Sequence, residues 1–181
     1  MIRSMILLAL VATAAAPPSD PVEIVSLALS RGMAAEASGN GRTLLDSARM
    51  LDAVGARAAE GEADLAGRWR ELAKARGVKD KLAPLRGRAL GPAYRRGRLD
   101  PGKMLATEQV FLAGQKAVVS LVPEPGRKLE MEVAAPDKAI CELSALAPRG
   151  ACAWLPLFTA RVKIKITNRG SAPAAYYLVS N

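Results

Sequence analysis

The run Arg161-Val162-Lys163-Ile164-Lys165-Ile166-Thr167 changes character at every step, polar then apolar. Wound as a helix, its three cations and three apolar side chains would be scattered round the axis and no face could be buried. As a strand its period is two, which places Val162, Ile164 and Ile166 on one side and the cations on the other. A strand of that kind needs a sheet, and the sheet needs a cover for its apolar face. Lys128-Leu129-Glu130-Met131-Glu132-Val133 alternates in the same way. Further strands are expected at 106–112, 116–122, 139–143 and 175–180, separated by Gly114, Pro123-Glu124-Pro125-Gly126, Pro136-Asp137 and Gly170. Short strands at this spacing, each with one polar and one apolar face, predict an antiparallel sandwich of two sheets.

Before Met104 the period is close to 3.6. Asp20-Pro21-Val22-Glu23 offers an N-cap acid, a proline at the first helical position and a Glu three residues past the cap. Val22, Val25 and Leu29 then share a face, and Ser38-Gly39-Asn40-Gly41 stops the run. Thr43 followed by Asp46 is read as the start of a second helix, with Leu44, Ala48 and Leu51 on its stripe. Leu65, Trp69 and Leu72 form a third stripe, which Gly77 closes as a C-cap. These stripes are narrow and rich in Ala, so residues 20–77 form a small helical layer that must pack tightly on itself or rest on the β part. Contact is expected, with Trp69 buried. The fold class is α+β: about three helices, then an antiparallel sandwich.

The first residues dictate the compartment. Arg3 precedes the apolar run Met5-Ile6-Leu7-Leu8-Ala9-Leu10-Val11, and Ala12-Thr13-Ala14-Ala15-Ala16 follows it, the charged, apolar and small order of a secretory leader. An apolar core of about ten residues falls short of the roughly 20 that span a bilayer, which disfavours the rival reading of an anchor. Residues 1–14 are taken as the leader, with cleavage after Ala14 and no later than Ala16, because Pro17 hinders a cut there. No Cys follows to take a lipid, and no later apolar stretch is long enough to be a membrane helix, so the mature chain is expected to be periplasmic or extracellular. In an oxidising compartment the sole pair of cysteines, Cys141 and Cys152, with Pro148 and Gly150 between them, reads as one local disulfide rather than two buried thiols. Closing so short a loop contributes about 2 to 3 kcal/mol in the chain-entropy account.

From Gly91 to the last residue the chain resembles the secreted bacterial domains of the pre-peptidase C-terminal type, which are small jelly-roll-like sandwiches. Gly91-Pro92-Ala93-Tyr94-Arg95 leading to Leu99-Asp100-Pro101-Gly102 carries the resemblance, with Cys152-Ala153-Trp154-Leu155-Pro156 before the alternating strand. Asn168-Arg169-Gly170 followed by Tyr176-Tyr177-Leu178-Val179-Ser180-Asn181 is similar to the last hairpin of that family. The resemblance implies a jelly-roll-like domain at 91–181, overlapping a basic connector at 78–103, and leaves the helical part unmatched. Its motifs are turns and core aromatics, so they imply a fold rather than an activity. Members of the family commonly carry an Asp-rich calcium pattern. At the matching place this chain has Gly126-Arg127-Lys128-Leu129-Glu130-Met131-Glu132, with cations where oxygen ligands are needed, so neither metal nor cofactor is carried over.

Chemistry is restricted from the outset, because the chain has no histidine and therefore no Ser-His or Cys-His pair and no imidazole for a metal. No Ser-x-x-Lys motif is present, and Ser120, Ser144 and Ser180 lie in strand or turn surroundings. Glu130 and Glu132 read as the solvent side of a strand rather than as paired glycosidase carboxylates. Gly87, Gly91, Gly97 and Gly102 fit no phosphate loop and read as turn residues. Aromatic residues are only 4% of the chain, which argues against an aromatic-lined ligand site.

Charge is placed unevenly. Without Arg3 the chain has 25 basic and 17 acidic residues, a net of +8, and residues 74–104 alone hold ten cations against two anions, also +8. Arg86, Arg88, Arg95, Arg96 and Arg98 are the candidates there for weak, salt-sensitive contacts with anionic polysaccharide or lipid. The alternative is a solvated linker. Nucleic acid is a poor partner, since only Tyr94 could stack on a base. The sequence thus reads as an exported, non-catalytic β-sandwich that meets an envelope protein, or as an accessory that docks through residues 74–104 on an anionic surface.

Overall fold

The computed structural model describes residues 20–81, 90–144 and 150–181. The leader, Arg86, Arg88 and Gly87 lie outside the described residues. Three helices come first: α1 (Pro21–Ser38), α2 (Gly41–Ala53) and α3 (Leu65–Ala75). Asp20 caps α1 by accepting the Val22 amide at 2.9 Å, and Gly39 ends it in the left-handed region at φ 73°. The start of α2 lies earlier than Thr43. Asn40 is its cap and accepts the Thr43 amide at 3.0 Å, so a residue read as part of the stop is also the start of the next helix. Asp64 caps α3 through the Ala66 amide; its C-cap is Arg76 rather than Gly77, which comes one residue later in the left-handed region at φ 76°.

The two-residue strand β1 (Arg57–Ala58) is followed by eight longer ones. They are β2 (Ala93–Leu99), β3 (Met104–Phe111), β4 (Ala117–Pro123), β5 (Leu129–Ala134), β6 (Ala139–Leu143), β7 (Gly150–Trp154), β8 (Ala160–Asn168) and β9 (Ala174–Ser180). One sheet runs β1-β2-β9-β4-β7 and the other β3-β8-β5-β6. Strand β2 pairs antiparallel with β9, β3 with β8, β4 with β7 and β5 with β6, as if one long hairpin had been rolled up. That interleaving is the order of a jelly roll. Among the described strands only β1, beside β2, is parallel.

The expected strands appear within two residues of their places, and two more join them. Strand β2 lies in what the charge pattern marked as a connector, and β7 is the small-residue run Gly150-Ala151-Cys152-Ala153-Trp154. The expectation of a polar face on every strand holds for β5 and β8 but fails for β4 and β9, which are buried on both faces. The reason is a third layer. Helix α1 packs on β4 and β9, so their sheet lies between the helices and the second sheet.

Two apolar cores result. Val22, Val25, Leu29, Leu44 and Trp69 of the helices pack with Val118, Val122, Tyr177 and Val179 of the first sheet. Val119, Leu121 and Tyr176 on the reverse of that sheet pack with Met131, Ile164 and Ile166 of the second. Trp69 is fully buried, and its ring lies against Gly32, where a Cβ would stand 2.1 Å from a ring carbon. Ser120 is a structural residue. Its hydroxyl donates to the Gly150 carbonyl at 3.0 Å and accepts from Ser26 at 2.8 Å, which ties α1 to β4.

Gly91 and Gly97 are not turn residues. The Gly91 backbone passes so close to Val54 that a Cβ would meet its carbonyl oxygen at 2.0 Å, and Gly97 lies inside β2 beneath the Tyr176 ring. Gly102, at φ 70°, does make the β2–β3 turn. Cys141 of β6 and Cys152 of β7 are joined, which links the edge of one sheet to the edge of the other.

Candidate functional site

Three connections meet at one end of the roll: residues 112–116 between β3 and β4, 135–138 between β5 and β6, and 155–159 between β7 and β8. The third carries Leu155-Pro156-Leu157-Phe158, a run with no alternation. Pro156 is buried, while Leu155, Leu157 and Phe158 are 60%, 76% and 79% exposed and Leu112 of the first connection is 52% exposed. The loop is tied to its neighbour. The Gly114 amide donates to the Pro156 carbonyl at 2.9 Å and the Ala113 amide to the Thr159 hydroxyl at 3.1 Å. The apolar side chains are thus held out from a fixed backbone.

Behind the loop, between the mouths of the two sheets, is a hollow of about 210 Å³. Phe111, Ile140, Trp154, Phe158 and Val162 line it, with Lys138 at its border. The Phe111 and Trp154 rings meet edge to face, 4.8 Å between centroids at 67°. Composition argues against an aromatic-lined ligand site, and some of the rings that the chain does have are gathered here. Few as the aromatics are (two Trp, three Tyr and two Phe), three of them line one cavity.

The described chain begins and ends beside this site. Lys116 donates to the Asp20 carboxylate at 2.7 Å through its ammonium, and its carbonyl accepts the Asn181 side-chain amide at 2.7 Å. Partial burial pushes the Asp20 carboxyl up. The bonds from Lys116 and the Val22 amide outweigh that push and hold it below its ordinary 3.8. The same contact raises Lys116.

The arginines singled out by charge do not form one patch. Arg95, Arg96 and Arg98 are all exposed on β2, but successive strand residues point to opposite sides. Arg95 borders a depression with Thr107, Glu108, Gln109 and Ser180. Arg96 borders another, of about 330 Å³, with Glu36, Glu124, Arg127 and Tyr177 on the helical side, so carboxylates share its surroundings. Farther along, Asp80 accepts from Arg49 at 2.7 Å and lies 3.5 Å from Arg70. On the outer face of the second sheet, Glu130 pairs with Arg169 at 2.7 Å and Glu132 with Lys165 at 2.8 Å.

Sequence reasoning passed over the Leu155–Phe158 loop, having read Trp154 and its neighbours as core. The signal was present. An apolar run between two strands, broken by a proline, belongs to a connection, and connections are ordinarily polar.

No protein family matches the sequence, and no curated protein is similar to it. Among solved structures, the pre-peptidase C-terminal domain of a collagenase from Bacillus anthracis is similar at 11% identity and a TM-score of 0.41, over 49% of this chain and 87% of that one. A periplasmic inhibitor of g-type lysozyme from Aeromonas hydrophila is similar at 16% identity and a TM-score of 0.37, over 50% of this chain and 86% of that one. A de novo designed double-stranded β-helix follows at 14% identity and a TM-score of 0.33, over 49% of this chain and 97% of that one. The helical N-terminal part is unmatched.

Proposed function

We propose that the protein is an exported, non-catalytic interaction module of the cell envelope that meets its partner through the apolar end of the sandwich. The observation that carries this reading is the group Leu112, Leu155, Leu157 and Phe158, held out to solvent together by backbone hydrogen bonds. Large apolar side chains gathered on a fixed surface mark an interaction site. Export is supported by the order of residues 1–16 and by the Cys141–Cys152 bridge, a bond that oxidising compartments preserve. A non-catalytic role is supported by a chain without histidine, by Ser120 being engaged with Ser26 and Gly150, and by the ion pairs of Glu130 and Glu132.

The test is fractionation. The protein should be recovered outside the cytoplasm, its two sulfurs joined, and bound to the envelope fraction, while Leu157→Asp should be recovered free of that fraction. Equal recovery of both forms on envelopes would refute the reading.

Docking on anionic polymer or lipid through residues 74–104 is the second reading, favoured by the exposure of Arg95, Arg96 and Arg98. It predicts retention on anionic vesicles or lipopolysaccharide that disappears at about 0.5 M salt, where charges are screened within a few ångströms. Changing the three arginines to Ser should abolish that retention.

A further inference from the structure

Resting on the reading of the apolar end as an interaction site, we propose that its partner is the surface of a phospholipid bilayer. Leu155, Leu157 and Phe158 enter the boundary between headgroups and acyl chains.

Three observations lead there. The first is the form of the site. Leu155, Leu157 and Phe158 belong to one short loop, more than half of each is exposed, and so is more than half of Leu112 in the connection bonded to that loop. A specific protein interface needs some 20 to 30 residues a side, many more than this tip supplies. A bilayer asks less, since apolar side chains need only reach about 5 to 10 Å into the headgroup boundary.

The second is where the chain enters. Asp20 is held by Lys116, which follows Leu112 by four residues in the same connection. The strongly apolar run Met5–Val11 lies upstream. The eight residues between Val11 and Asp20 reach at most about 30 Å. While that run is still attached, before the cut after Ala14, it holds the apolar end within that reach of the bilayer.

The third is charge. Lys116 is paired with Asp20, Arg161 lies 3.8 Å from Glu108, and Lys138 follows Asp137 in sequence. Among the described residues the cations at this end stand beside carboxylates, Glu23 and Asp137 included, and they form no cluster that would draw anionic headgroups. Attachment is therefore by apolar insertion and persists in salt. This separates it from docking through residues 74–104.

The experiment uses the protein in the form its cell leaves it, mixed with vesicles of phosphatidylcholine alone and with phosphatidylglycerol added. Binding is read by sedimentation and by tryptophan emission. Trp69 is fully buried in the helical layer, so a shift of emission to the blue reports Trp154 at the hollow. Both vesicle types should bind the protein, the emission should shift, and binding should survive about 0.5 M salt. Leu157→Asp and Phe158→Asp should each lower the bound fraction about tenfold with unchanged thermal melting, because neither side chain is buried. Should either variant fail to fold, Leu157→Ser replaces it.

Absence of binding to either vesicle overturns the proposal. So does binding that the two substitutions leave intact, which assigns it to another surface of the protein, and binding abolished by salt, which assigns it to the arginines. A dimer that Phe158→Asp separates, seen without vesicle binding, overturns the bilayer and makes a second copy the partner. Loss of envelope recovery in Leu157→Asp without vesicle binding overturns it in favour of a protein partner. In these last two cases the apolar end remains an interaction site.

Discussion

Gly32 is where α1 yields to the Trp69 ring. A methyl group added there would stand 2.1 Å from an indole carbon, far inside van der Waals contact, so Gly32→Ala should destabilise the protein by about 2 to 3 kcal/mol, the scale of overpacking a filled core. Denaturant unfolding followed by tryptophan emission and circular dichroism would measure it. Gly97→Ala should cost a similar amount, because the Tyr176 ring covers its backbone. The sequence showed neither requirement. A glycine that admits a ring looks the same in one dimension as a glycine that makes a turn, and only the register of β2 on β9 puts Tyr176 over Gly97. Asp20 yields a prediction about acid. Its carboxyl is held below 3.8, so the unfolded chain takes up that proton more readily than the folded one. The stability it contributes is complete above that value and disappears as pH falls through the lowered one. Asp20→Asn keeps a good cap but has no charge to lose. Its melting temperature should therefore fall less steeply between about pH 5 and pH 2 than that of the unaltered protein.

Among the elements, legibility follows exposure to water. Strand β8 was readable because one face is wet, and a wet face writes its period into the sequence. Strand β4, covered by α1 on one side and the second sheet on the other, reads Ala-Val-Val-Ser-Leu-Val, and nothing in that run tells that two different layers cover it. Strand β2 was hidden by its arginines, which sit on both of its faces and mimic a linker. The helix stripes were read correctly, as was the burial of Trp69. The apolar end was not, since a connection has no period and its position beside two other connections is a property of the roll. The disulfide belongs to this scale as well, because β6 and β7 are edge strands of different sheets. Replacing Cys141 and Cys152 together by Ser should lower stability by about 2 to 3 kcal/mol in chemical denaturation, with the strands retained by circular dichroism.

At the scale of the whole molecule the helices and the sandwich share a core. Tyr94, Val118, Val122, Tyr177 and Val179 present apolar surface that only α1, α2 and α3 cover, and β1 of the helical part is itself the edge of the first sheet. A chain beginning at Gly91 should therefore not be a stable sandwich. Its circular dichroism should lack a cooperative thermal transition, and it should aggregate at concentrations where the full chain stays dispersed. One consequence follows from the way Lys116 holds Asp20 with its ammonium and Asn181 with its carbonyl. Residues 20 and 181 are near neighbours, so a few glycines and serines could splice them into a ring. The ring could be opened at the Asp100–Lys103 turn on the far side of the roll, where all four residues face water. Such a permuted polypeptide should recover the parent's circular dichroism, and its new ends would offer places for a dye or a tag well away from the leucines and phenylalanine of the opposite pole.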